Sequence, residues 1–295
     1  MRIMNLKANL KTAILMASAL LGTGTSHAQV NLTAGPASIT LPDGSTVPMW
    51  GYSCGLIVSG STATCAASNS AATGIPAVWS PVVITVPSGQ NLTINLTNSL
   101  PTPPGSTTGG IPTSLVIVGQ LGGGLGTTAT STASPDHSNA QSNVTWPIAN
   151  PGGGTGTPPV QGNRVQSFST EVATGATAAL TWTTPQPGTY LIESGTHPSI
   201  QGPMGLYGIL VVTTAPAGAT AGTAYPAVGT TPAVTYNAEI PLLFSEIDPV
   251  QNNAVSTAIN TAGFSETAVW SGQPGGCGNP ASPVGVVNTC YPPAV

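Results

Sequence analysis

Gly188–Val212 reads GTYLIESGTHPSIQGPMGLYGILVV. Two strand-like runs, Thr189–Ile192 and Leu206–Val212, flank a joining stretch rich in Gly, Pro and Ser. β-Branched and aromatic residues between turn formers suit half-buried strands. The joining stretch is expected to be a loop, and it carries His197, one of 3 histidines in the chain.

Working outward, the same composition recurs. Val30–Leu41 is expected to be a first strand, ended by the turn former Pro42-Asp43-Gly44, with extended chain resuming at Val47–Tyr52. Val82–Val86 and Leu92–Leu96 flank Pro87-Ser88-Gly89-Gln90 and read as a hairpin. In the second arm Leu92, Ile94 and Leu96 alternate with Thr93, Asn95 and Thr97, as in a strand with one buried and one wet face. Short strands are expected at Ser114–Val118, Val165–Phe168 and Ala178–Thr183. Residues 119–162 are dense in Gly, Thr, Ser, Asn and Pro and read as a surface insertion, with His137 a solvated loop residue beside Asp136.

Three stretches carry a family resemblance. The GTY run leads into a histidine-bearing turn and a GLYG strand; Thr40–Tyr52 reads TLPDGSTVPMWGY; Ser114–Gln120 reads SLVIVGQ. Together and in this order they resemble the N-terminal cupredoxin (plastocyanin-like) domain of a bacterial multicopper oxidase. The resemblance implies an all-β, Greek-key cupredoxin-like β-sandwich with long Gly/Thr/Ser-rich loops. It also implies a second similar domain beginning at Glu239–Ile247, EIPLLFSEI, beyond a Pro/Ala/Gly/Thr linker. The expected organisation is a signal peptide over 1–28, a cupredoxin-like domain over 29–215 and a linker over 216–232. Residues 233–295 would be the start of a second domain or a C-terminal extension. A short helix is expected within Val250–Phe264, and the chain reads as a truncated product of a longer gene.

Bulk composition agrees with a β fold. Charged residues are 4% of the chain, against 37 Gly and 29 Pro, which are poor helix formers. Arg2, Lys7 and Lys11 precede an apolar run, Thr12–Leu21, and Ser26-His27-Ala28 supplies small residues for cleavage before Gln29. An exported chain follows, placed in the periplasm, at the cell surface or outside the cell. Arg164 is then the only basic side chain against 8 acidic residues, which excludes a nucleic-acid partner. No later apolar run is long enough to span a membrane.

The 4 cysteines form two local pairs, Cys54 with Cys65 and Cys277 with Cys290. In an exported chain such spacing suggests disulfides. Sequence permits three connectivities, and nearest-neighbour pairing closes the shortest loops.

Copper chemistry is limited by donors. A type 1 copper site needs two histidines and a thiolate. By resemblance, a trinuclear cluster needs eight histidines shared between domains, and only His137 and His197 follow Ala28. Where the family carries His-x-His, this chain has Val116-Ile117-Val118; where it carries His-Ser-His, Glu193-Ser194-Gly195 stands, with His197 two residues on. Glu193 and His197 are the remaining metal candidates, weighed against a structural role in which Glu193 accepts turn amides and His197 caps a loop. A hydrolase set of Ser194, His197 and Asp136 lacks a nucleophile elbow. Trp50, Trp79, Trp146, Trp182 and Trp270 suit a core better than a sugar platform.

The expected function is therefore a copper-free cupredoxin module of an exported multicopper oxidase. Copper, and oxidation of a substrate coupled to oxygen reduction, belong to the complete family enzyme, and this chain alone is not expected to be catalytic. Its partners would be further cupredoxin domains, in the same chain or another. The alternative is a secreted structural or adhesive β-sandwich without redox activity.

Overall fold

Strand-forming residues dominate the computed structural model, which describes residues 27–72, 78–106, 109–125, 169–262 and 264. In chain order the elements are β1 (Ala28–Thr40), β2 (Thr46–Cys54), β3 (Thr64–Ala67), β4 (Val82–Pro87), β5 (Leu92–Asn98), β6 (Val116–Ile117), β7 (Thr177–Trp182) and β8 (Gly188–Glu193). There follow α1 (Pro198–Met204), β9 (Tyr207–Thr213), β10 (Gly222–Tyr225), β11 (Val234–Tyr236) and α2 (Pro249–Ile259).

One sheet has the order β2-β1-β5-β7 and the other β3-β4-β9-β8-β6. β1 runs parallel to β5 and β4 runs parallel to β9, so the chain repeatedly crosses between layers. The all-β Greek-key sandwich expected from the sequence is the architecture observed. Leu32, Leu92, Ile94 and Leu96 of the first sheet and Val82, Ile84, Ile192 and Leu210 of the second meet in one core. Each comes from a strand whose alternate residues face outward, as a two-layer sandwich requires.

The expected hairpin of Val82–Val86 with Leu92–Leu96 does not form. β4 pairs with β3 and β9, whereas β5 pairs with β1 and β7. The turn at Pro87–Gln90 carries the chain across the sandwich as an arch, and the two apolar faces oppose each other through the core. A hairpin would have put both faces on one layer.

The Cys54–Cys65 disulfide is present, with Cα atoms 5.7 Å apart. Such a bridge contributes about 2–4 kcal/mol. Cys277, Cys290, His137, Asp136, Arg164, Trp146, Trp270, the strand expected at Val165–Phe168 and residues 1–26 lie outside the described residues. β1 begins at Ala28, itself buried, one residue before the expected cleavage point. The three described tryptophans, Trp50, Trp79 and Trp182, are 3%, 8% and 0% exposed and belong to the core. No helix among the described residues is long and apolar enough to cross a membrane.

Two C-terminal features differ from expectation. The 216–232 stretch contains β10, which pairs with β11 in a small ribbon. Thr213 Oγ1 ties that ribbon to β9, donating to the Thr223 carbonyl at 3.0 Å and sharing a 2.8 Å bond with the Tyr236 hydroxyl. Glu239–Ile247 enters no strand pairing, and Ile240, Leu242 and Phe244 are exposed.

The helix expected within Val250–Phe264 is present as α2. Asp248 caps it, its carboxylate accepting from the amides of Val250 (2.9 Å) and Gln251 (3.2 Å), and Pro249 fills the first turn where no amide partner is needed. Val255 and Ile259 enter the sandwich core, and Asn252 Nδ2 donates to the Pro48 carbonyl of β2 at 3.0 Å. α2 therefore packs back on the first sandwich.

Candidate functional site

The strand pairing of β6 with β8 builds the site. Val116 lies opposite Glu193 and Ile117 opposite Ile192. The ladder continues for one bond more, from the Val118 amide to the Leu191 carbonyl at 2.9 Å. Successive side chains in a strand alternate faces. Val116, Val118, Glu193 and Gly195, two apart along each segment, therefore share one side, and all four line a single cavity of about 500 Å³. These are the four positions singled out in the sequence as metal-ligand sites of the resembling family.

The chain beyond β6 makes another wall. Loop 119–125 lies on Trp182: the Gly123 amide donates to the Thr181 carbonyl at 2.7 Å. Gly122 has φ 133, and a Cβ there would come within 2.5 Å of the indole. Glycine is required both for that backbone and for that approach. The loop so held brings Leu121 and Leu125 to the cavity.

Around Ser194, which also lines the cavity, the same two segments are locked by a buried, uncharged network. Gln201 of α1 is 0% exposed. Its Oε1 accepts from Thr113 Oγ1 at 2.8 Å and Ser194 Oγ at 2.6 Å, and its Nε2 donates to the Pro112 carbonyl at 2.7 Å. Ser114 Oγ accepts from the Gly195 amide at 3.1 Å and from Thr196 Oγ1 at 2.9 Å. Tyr52 of β2 closes the set, its hydroxyl donating to the Ser114 carbonyl at 3.1 Å. Burial, with a smaller push from the Glu193 charge, raises the Tyr52 phenol far above its ordinary range, so it stays a donor.

The expectation of a loop joining Ile192 to Leu206 is corrected by α1. Pro198 opens the helix, where its fixed φ is favourable, and Pro203 sits near its end. A proline at 203 cannot donate to the Ser199 carbonyl four residues back. That carbonyl instead accepts from Gln251 Nε2 of α2 at 3.2 Å. Gly205, at φ 110, ends α1; a Cβ on it would come within 2.5 Å of the Trp50 carbonyl. Trp79 Nε1 fastens this corner by donating to the Gly205 carbonyl at 3.1 Å.

Glu193 and His197 occupy different parts of this frame. Glu193 lines the cavity; His197 precedes α1 at φ 43 with its carbonyl accepting from the Ile200 and Gln201 amides at 2.9 Å each, and is not part of that lining. His197 thus caps the helix through its backbone. The Glu193 carboxylate accepts no hydrogen bond from a described residue, in contrast to the turn-amide role considered for it, and desolvation raises its pKa. Among the described residues no three of His, Cys, Asp and Glu gather as a metal-holding group. Ser194, the serine of the paper hydrolase set, is buried and committed to Gln201.

Thr113, Ser114, Thr196 and Gln201 were not singled out in the sequence. The signal that could have found Gln201 is its place between Ile200 and Met204 in SIQGPM, where one helical turn puts a polar side chain among apolar ones.

No protein-family model matches the chain, and no curated protein matches it. Among solved structures it is similar to a multi-copper oxidase from Pseudomonas thermotolerans at 17% identity and a TM-score of 0.33, over 62% of this chain and 29% of that one. It is also similar to Lac15 from a marine microbial metagenome at 21% identity and a TM-score of 0.32, over 63% of this chain and 32% of the other. A copper nitrite reductase from Nitrosomonas europaea is a third, at 17% identity and a TM-score of 0.32, over 63% of this chain and 41% of that one. The matched part spans less than half the length of each of these proteins.

Proposed function

We propose that this chain is a copper-free cupredoxin module of an exported multicopper oxidase, supplying packing and access while metal chemistry resides in partner domains. Those domains would lie in the same chain or in a separate one, outside the cytoplasm. One observation carries the reading: Val116, Val118, Glu193 and Gly195 converge on one cavity rim. Valine and glycine side chains have no lone pair for a metal, and one carboxylate is far short of the three or four ligands a copper or zinc centre needs. The residues at the rim do not fit copper, so no redox step is assigned to this chain. The order of the GTY, TLPDG and SLVIVGQ stretches supports the family assignment.

Metal analysis after copper loading of the purified chain, with electron paramagnetic resonance, tests the reading. Less than stoichiometric copper is expected at the rim. A tight one-to-one site that survives His197→Ala but is lost in Glu193→Gln would defeat the proposal. A quadruple variant, Val116→His, Val118→His, Glu193→His and Gly195→His, is expected to acquire divalent-metal binding, because the strand register already brings those positions together.

A further inference from the structure

The cavity has properties that the loss of ligands alone does not explain. At about 500 Å³ it falls within the span of roughly 300–1,000 Å³ typical of small-molecule sites. Its walls are aliphatic, and three wall residues, Val118, Leu121 and Leu125, remain 46%, 44% and 37% exposed. Large apolar side chains gathered around one concavity mark a binding surface more than scattered ones do.

The polar groups of the lining are mostly spent. Ser194 is held by Gln201, and Gln120 Oε1 accepts from the Gln186 amide at 3.1 Å. Among the described residues Glu193 is the one ionisable side chain of the lining, and none of them is a lysine or arginine that could pair with it. A carboxylate placed against aliphatic walls favours a cation that brings its own apolar body.

We propose that the cavity bounded by Val116, Val118, Leu121, Leu125 and Glu193 binds a small apolar amine. Its hydrocarbon part lies on the aliphatic walls and its ammonium group on the Glu193 carboxylate. The proposal rests on the copper-free reading of the rim, since a metal there would claim the same carboxylate.

Calorimetric titration of the metal-stripped full chain with benzylamine, benzyl alcohol and benzoate tests it. These probes share a ring and differ in charge. Saturable one-to-one binding of benzylamine is expected, about tenfold or more tighter than benzoate. Glu193→Gln should weaken benzylamine by about tenfold and leave benzyl alcohol unchanged. Val118→Trp, at a half-exposed wall position, should abolish binding of all three. No saturable benzylamine binding, equal binding of benzoate, or indifference to Glu193→Gln would overturn the proposal. The wild-type preference between benzylamine and benzoate tests the charge without any substitution, should Glu193→Gln fail to fold. Stoichiometric copper uptake at Glu193 would remove the copper-free reading beneath this proposal, whereas benzylamine failing on a copper-free chain removes this proposal alone.

Discussion

Two sides of the β6–β8 junction are built on opposite plans. Beneath it, Thr113, Ser114, Thr196 and Gln201, with Ser194 at the edge of the cavity, are buried and joined by uncharged hydrogen bonds. Above it, Val116, Val118 and Glu193 face a cavity and take part in none of those bonds. The contrast teaches where the geometry is stored. Segments 112–118 and 193–198 are positioned from below, so the residues above can change without the junction coming apart.

The sharpest way to break this comparison is Gln201→Leu. It removes the partner of two buried hydroxyls and one carbonyl, each costing about 1–3 kcal/mol when left unmet. We expect a loss of about 3 kcal/mol, which lowers Tm by roughly 6–12 °C for a chain of this size. Calorimetric unfolding measures it, and a loss below about 1 kcal/mol would show that the underside does not carry the junction.

A smaller effect concerns pH. The folded chain holds the Glu193 proton more tightly than the unfolded chain, because burial disfavours the carboxylate. Its contribution is therefore fully present below the unfolded carboxyl value of 4.5 and is lost as pH rises through the raised folded value. Glu193→Gln should flatten that part of the stability profile. Chemical denaturation in steps upward from about pH 4 shows whether the slopes of wild type and variant differ, and identical slopes would refute a desolvated Glu193. The group is only half-buried, so solvent screening keeps the effect modest.

The smallest change is expected at Val118→Ala. With Val118 46% exposed on the cavity side, its truncation should cost below about 0.5 kcal/mol. A cost approaching that of Gln201→Leu would erase the distinction between the two sides.

Much of the sandwich was legible because alternation at period two is local. Leu92, Ile94 and Leu96 announced a strand with one buried face, and all three are 0% exposed. What alternation does not encode is which layer a strand joins. Pro87–Gln90 has the residues of a tight turn whether the chain folds back within one sheet or crosses to the other, so the hairpin expectation failed. α1 was hidden for a related reason. Pro198, Gly202 and Pro203 read as loop formers, yet the first stands where a helix tolerates proline and the last frees a carbonyl that α2 supplies with a donor. That donor is Gln251, 52 residues away, and no local reading contains it.

At the rim, Val116, Val118, Glu193 and Gly195 were grouped only through the family resemblance; that they share a side follows from the β6–β8 register, which no single segment displays. The lock beneath them was not legible. Serines and threonines are abundant throughout the chain, and nothing in the local sequence separates Ser114 or Thr113 from their many exposed counterparts.

The docking of α2 on β2 has a practical consequence for dissecting the chain. Asn252 grips the Pro48 carbonyl, Val255 and Ile259 complete the sandwich interior, and Gln251 supplies the donor that Pro203 denies to α1. Shears applied anywhere in the 216–232 joint would discard all of these at once. The trimmed fragment would carry an open seam along its first β-ribbon and a helix short of one bond, so the smallest self-sufficient piece of this protein extends at least through Ile259.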